Sequence, residues 1–257
     1  MKKTKIEINI NNFPSQIHYL FKDANVYDSS CSSEATVHYL DTGYYVKTAA
    51  LHTLANEARL GRLFFERGLG VEVIDYISTD KDCLITRSAV GEDLTHDIHQ
   101  PEKLCKILAA ALRTLHTQPI HDVPVSRKCQ YYMERANGNF KDGGYDDFVA
   151  VKRFHVKNIE EAWELMQAGK KLLRMDTLIH GDACLPNVLQ YKGRFSTFID
   201  FDMAGLGDKH IDLFWAVWSL QYNLKTDAYT DLFLDLYGRE NFDEDMLRVV
   251  AAFELFG

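Results

Sequence analysis

The sequence predicts an α+β protein of two lobes, strand-rich over residues 1–88 and mainly helical over 89–257. Three observations carry that expectation. The first third holds short apolar runs with two-residue alternation, such as residues 35–40 and 44–48 around the turn Asp41-Thr42-Gly43. From Pro101 onward apolar residues recur every three or four positions, which is the helical period. With 257 residues, 46% of them hydrophobic, the chain can fill one large core or two modest ones.

Alternation of Ile6, Ile8 and Ile10 with Glu7 and Asn9 predicts a first strand over residues 5–10. A polar stretch, residues 23–34, reads as a loop ending in Asp28-Ser29-Ser30-Cys31-Ser32-Ser33. After the hairpin at Gly43, Leu51, Leu54, Ala55, Ala58, Leu63 and Phe64 share a face and predict a helix over 51–67, stopped by Gly68 and Gly70. A second hairpin, 71–78 with 83–88, turns at Thr79-Asp80-Lys81-Asp82. The lobes join near Arg87 to Gly91 without a long linker. Pro101 opens a helix running to about His116, and a short helix is expected over 131–136. Residues 137–144 read as an exposed glycine-rich loop. Asn158 caps a helix over 159–173, and three more follow over 209–222, 226–236 and 244–256.

The chemistry concentrates in His180-Gly181-Asp182-Ala183-Cys184-Leu185-Pro186-Asn187 and, a hairpin later, Phe198-Ile199-Asp200. Asp182 and Asn187 lie five residues apart across a loop, and Asp200 returns beside them after a strand-like run. Phosphoryl transfer needs that set: one carboxylate to take the proton of an attacking hydroxyl, and an amide with a second carboxylate to hold Mg²⁺ on the phosphates. A lone His-Gly-Asp is an ordinary turn; the pattern gains meaning from Asn187 and Asp200 together. Upstream, Lys47 ends the run Tyr44-Tyr45-Val46-Lys47, and Glu57 lies on the following helix, where an ion pair would hold the lysine out toward phosphates. By itself Lys47 reads equally as a surface lysine at a strand end. Tyr45 suits either the core or the face of an adenine. His180 reads as structural, Asp208 as a helix cap and Asp212 as a brace for the catalytic loop.

Composition narrows the partners. The net charge of −8 argues against nucleic acid and suits a cationic small molecule. Five cysteines without a Cys-x-x-Cys pair read as reduced thiols of a cytoplasmic protein. No apolar run approaches the ~18 residues of a membrane span, and the basic start Met1-Lys2-Lys3-Thr4-Lys5 lacks the apolar stretch of a signal peptide.

With these residues in view, the chain resembles the aminoglycoside 3′-phosphotransferases, members of a kinase-like superfamily that also holds choline and methylthioribose kinases. The resemblance is carried by residues 180–189, by 193–200, by Gly207-Asp208-Lys209-His210-Ile211-Asp212-Leu213 and by Glu254-Leu255-Phe256. It implies a protein-kinase-like fold with ATP as phosphoryl donor, Mg²⁺ as cofactor and a small-molecule hydroxyl, on a cationic acceptor, as the target. By position it implies Asp182 as catalytic base, Asn187 and Asp200 as Mg²⁺ ligands, and Lys47 on the phosphates with Glu57 as its partner. Tyr45 would stack on adenine, Arg87 and Ala89 would offer hinge backbone to it, and Ser33 would lie in the loop over the phosphates. Asp146, Asp147 and Glu254 would meet the acceptor. The chain departs from the family where Asp202 and Met203 replace Gly-Arg, where Tyr222, Asn223 and Phe253 stand at positions of acids, and where Gly257 follows Phe256. Those departures keep open a kinase of another small hydroxyl metabolite and, more remotely, a non-catalytic nucleotide-binding protein.

Overall fold

The computed structural model describes residues 3–31, 33–144, 154 and 156–256, with the side chains of 133 and 135–137 left aside. The chain forms two compact units, one of Met1–Gly91 with Thr197–Asp202 and one of Glu92–Ser196 with Met203–Gly257.

The first unit is built on an antiparallel sheet. Its strands are β1 (Thr4–Ile6), β2 (Val26–Asp28), β3 (Ala35–Leu40), β4 (Tyr44–Ala49), β5 (Val73–Ser78) and β6 (Asp82–Arg87), in the order β1-β2-β3-β4-β6-β5. Two helices cover it: α1 (His18–Phe21) between β1 and β2, and α2 (Ala55–Glu66) between β4 and β5. Alternation along β4 sorts its two faces. Val46 joins Leu40, Cys83 and Ile85 in a core closed by Phe13, Ile17, Leu20 and Phe21. On the opposite face Leu84, the cross-strand partner of Lys47, packs with Leu54 and Ala58 of α2.

Three expectations for this unit are corrected. The first strand ends at Ile6, because the Asn9 side chain accepts from the Asn11 amide and folds residues 10–12 into a 3-10 turn. The polar stretch contains a strand, Val26–Asp28, whose Tyr27 pairs with Tyr39 of β3. Helix α2 starts four residues later than its apolar periodicity suggests. The cap comes from a distant residue: buried Asp82, at the start of β6, accepts from the Leu54 amide at 2.8 Å and from Ser78 Oγ at 2.7 Å.

The second unit is mainly helical. In chain order it holds β7 (Glu92–Asp93), α3 (Pro101–His116), α4 (Arg127–Lys141), α5 (Ile159–Gly169), β8 (Thr177–Ile179), β9 (Val188–Tyr191), β10 (Arg194–Phe198), β11 (Gly205–Gly207), α6 (Lys209–Leu224), α7 (Thr230–Tyr237) and α8 (Glu244–Glu254). Helix α3 packs on α6 and α7, and α8 packs on α5 and α6. The small strands form two sheets, β10-β9-β7 and β11-β8. The expected caps are present: Asn158 Oδ1 accepts from the Glu161 amide and Asp208 Oδ1 from the His210 amide.

Here too the chain departs from expectation. Residues 137–141 continue α4 instead of forming a loop, because Asn139 donates to the Phe256 carbonyl and the Phe140 ring stacks on Trp163 at 4.0 Å. Helix α5 stops at Gly169, four residues early; a Cβ there would stand 2.1 Å from Val249 Cγ1 of α8. Among the described residues no helix is long and apolar enough to cross a membrane.

Candidate active site

The first unit assembles a charge cluster. Lys47 points off β4 on the α2 side of the sheet, and Glu57, in the first turn of α2, meets its ammonium at 2.7 Å. Asp200, on the segment that returns to this unit, meets the same nitrogen at 3.1 Å through Oδ1. Burial lowers the lysine pKa, but Asp200 and Glu57 together more than offset it and hold the group well above 10.5. Burial pushes the Glu57 carboxyl up against the pull of Lys47, and Asp200 and Asp202 push it further. The cluster is therefore acid-rich, with an Asp200 side chain half open to solvent. Asp200 takes φ +67°, a left-handed conformation that Asp adopts more readily than most residues. The segment around it is pinned by apolar and backbone contacts. Phe201 packs 4.5 Å from Phe64, the Phe198 amide donates to the Leu69 carbonyl, and Asn56 Nδ2 donates to the Asp202 carbonyl.

Tyr45 shares the face of Lys47 and continues a cross-strand row, Tyr27, Tyr39, Tyr45, with ring spacings of 6.0 and 5.0 Å. The Arg87 amide is committed to the Glu72 carbonyl, and its guanidinium reaches Glu72 and Tyr44 at the end of β6. Ala89 is half-buried just beyond β6, and Ser33 is exposed in the turn before β3.

In the second unit the loop from His180 to Asn187 hangs between β8 and β9. Buried Asp212, in the first turn of α6, accepts from the amides of His180 at 2.8 Å and Gly181 at 2.7 Å, and from His116 Nε2 at 3.1 Å. That last bond places a proton on Nε2, and His116 Nδ1 lies 2.9 Å from Tyr237 Oη. Gly181 takes φ +81°, and a Cβ there would lie 2.2 Å from the Met203 carbonyl, so the turn requires glycine. His180 Nδ1 accepts from the Asp182 amide at 3.3 Å, a bond within the loop itself. Asn187 Nδ2 donates to both the backbone carbonyl and Oδ2 of Asp182, each at 3.0 Å. This pair fixes the Asp182 carboxylate, and leaves Oδ1 as the asparagine atom suited to a cation.

The acceptor residues fare differently. Asp146 and Asp147 lie outside the described residues. Glu254 is buried at 2% exposure, and its carboxylate already receives Tyr132 Oη, Trp215 Nε1 at 2.6 Å and Lys128 Nζ at 2.8 Å. Asn223 turns back on its own helix, donating to the carbonyl and hydroxyl of Ser219. Tyr222 stacks on Trp218 at 5.1 Å with the Lys225 ammonium over its ring. Sequence reasoning missed Lys128, His116 and Asp82. None belongs to a motif, and each is recognisable only by a partner more than twenty-five positions away.

The family model described as "Phosphotransferase enzyme family" matches residues 32–251. A Lactococcus lactis subsp. lactis protein named "Probable aminoglycoside 3'-phosphotransferase" is 41% identical over 98% of both chains. An "Aminoglycoside 3'-phosphotransferase" of Niallia circulans is 29% identical over 68% of this chain and 67% of its own. Among solved structures, aminoglycoside phosphotransferase APH(3'')-Id from Streptomyces rimosus superposes with a TM-score of 0.73 at 19% identity, over 97% of this chain and 99% of that one. Together with the β-rich unit carrying its lysine–glutamate pair and the helical unit carrying the braced Asp-Asn loop, these matches show that the chain belongs to the phosphotransferase enzyme family.

Proposed function

We propose that this protein transfers the γ-phosphoryl group of ATP to a hydroxyl of an aminoglycoside, in the cytoplasm. The carrying observation is the Asp182–Asn187 pair on a loop braced by Asp212, because it presents a fixed carboxylate beside an amide oxygen donor. Asp182 orients the acceptor hydroxyl and takes its proton as the oxygen bonds to the γ-phosphorus. The bond from that phosphorus to the bridging oxygen breaks, and ADP departs with the electron pair. Lys47, held by Glu57 and Asp200, neutralises charge on the phosphates as they leave. Tyr45, Arg87 and Ala89 receive the adenine, and Ser33 lies by the phosphates.

The oxygen donors Asp200 and Asn187 fit Mg²⁺, a hard cation that takes one or two side-chain oxygens and completes its shell with phosphate and water. The acid excess around Lys47 supports the same assignment, since a divalent ion would relieve it. When bound, Mg²⁺ supplies charge neutralisation at the phosphates.

The family match and the 41% identity over nearly the whole chain support an aminoglycoside as acceptor. A second reading, a kinase of a less cationic hydroxyl compound, draws on the non-acidic Tyr222, Asn223 and Phe253. Purified protein offered ATP, Mg²⁺ and a panel of aminoglycosides and amino alcohols, with ADP release as readout, separates them. Asp182→Ala should lower turnover on the preferred acceptor by about three orders of magnitude with ATP affinity nearly unchanged. Unchanged turnover would remove Asp182 from the chemistry.

A further inference from the structure

Glu254 stands where the family resemblance implies an acceptor-binding acid, yet in this chain its seat is full. One carboxylate oxygen takes Tyr132 Oη and Trp215 Nε1; the other takes the Lys128 ammonium at 2.8 Å. That ammonium also lies 4.7 Å from the Trp215 ring centroid and 5.7 Å from that of Tyr132. A carboxylate flanked by two aromatic faces is a binding site for an alkylammonium group. Here the alkylammonium is the protein's own.

We propose that Lys128 is a specificity-determining residue, an internal cation that occupies the acceptor-amine seat at Glu254. The inference rests on the aminoglycoside reading for its consequence in catalysis, but the seat itself stands on the geometry. A substrate amine reaches Glu254 only by displacing another primary ammonium, so the exchange gains little. The Lys128 side chain retains 15% exposure, against 2% for the carboxylate side chain that it covers. Glu254, buried at 2%, cannot be left unpaired without a large desolvation cost, which keeps Lys128 in place. The chain therefore accepts compounds that carry no amine at this position, or gains nothing from one that they carry.

The test uses the full-length chain, with n-butylammonium chloride as probe, n-butanol as its uncharged control, and calorimetry as readout. Wild type and Lys128→Arg should show no saturable butylammonium binding. Lys128→Ala should bind it saturably and at least about tenfold more tightly than butanol, the worth of one charge-assisted hydrogen bond. Adding Glu254→Gln to Lys128→Ala should abolish that binding. Kanamycin KM should fall about tenfold in Lys128→Ala by the same arithmetic. Equal butylammonium binding with and without Glu254, or none in Lys128→Ala, overturns the proposal. Should Lys128→Ala be too unstable to titrate, butylammonium but not butanol raises its melting midpoint under the proposal; absence of that rescue overturns it. If no variant phosphorylates any aminoglycoside, the acceptor reading fails while the butylammonium result still decides the seat.

Discussion

Asp212→Asn isolates how much of the enzyme depends on holding its catalytic loop. The carboxylate is fully buried and accepts three hydrogen bonds, from the His180 amide, the Gly181 amide and His116 Nε2. Asparagine has the same shape but only one acceptor oxygen. Placing that oxygen on the side of His180 and His116 points the new amide at the Gly181 N–H, donor against donor. The variant loses one charge-assisted bond, about 1.5–3 kcal/mol, and leaves a buried N–H unpaired at a further cost of about 1–3 kcal/mol. A net destabilisation of about 3–5 kcal/mol follows, in the range for breaking a buried, hydrogen-bonded charge.

In a unit of this size each kcal/mol lowers the melting midpoint by about 2–4 °C, so the variant should melt roughly 10 °C below wild type. Turnover should fall by about a hundredfold, because the Gly181 turn sets the position of Asp182 and small misplacements of a catalytic group are expensive. KM for ATP should move little, since the Lys47 cluster keeps its own contacts. The assays are calorimetric melting and steady-state kinetics with each substrate varied in turn. A midpoint within about 2 °C of wild type, with kcat intact, would refute the bracing argument.

Three further outcomes follow from the same structure. Glu57→Gln leaves Lys47 with Asp200 alone at 3.1 Å and should reduce kcat/KM for ATP by about tenfold, read in initial-rate kinetics. The Asp208 carboxyl is buried, but its bonds to His210 and the Arg174 amide hold it below its ordinary 3.8. A depressed carboxyl contributes stability above 3.8 that is lost as pH falls through its folded value, so the gap in unfolding free energy between wild type and Asp208→Asn should close below pH 3.8 and stay constant above about 5. Gly169→Ala forces a Cβ into Val249 at 2.1 Å and should destabilise α5 against α8 by about 1–3 kcal/mol in urea unfolding, with KM values unchanged.

The contacts proposed to handle phosphate could be read from the sequence because their parts are short-range. Asp182 and Asn187 are five residues apart on one loop, and Lys47 and Glu57 are ten apart across one strand–helix step. Their residue types follow from the chemistry, and their spacing from a turn and a helix. What was unreadable depended on long-range partners. The start of α2 is set by Asp82, twenty-eight positions from the Leu54 amide it caps, so local periodicity placed the helix too early. The extension of α4 through Asn137-Gly138-Asn139 runs against propensity and is paid for by contacts with Phe256 and Trp163. Asp212 could be suspected from its place in the first turn of α6, but its third donor, His116, could not.

The acceptor side makes the same point with charge. An acid retained at a family position carries binding energy only if its charge is available, and sequence records the acid without recording what neutralises it. Glu254 and Lys128 are separated by most of the second unit's sequence, yet they form one neutral group at 2.8 Å. Relative to the acids that the resemblance implies at those positions, Tyr222, Asn223 and Phe253 remove three formal negative charges, and Lys128 cancels a fourth. At about 1.5–3 kcal/mol for each charge-assisted bond, three lost contacts outweigh the difference between a micromolar and a millimolar acceptor. Phosphoryl transfer does not need these charges, because Asp182, Asn187 and the Lys47 cluster keep their partners without them. The donor chemistry can therefore stay constant while the range of acceptors moves, and a single lysine on α4 is enough to move it.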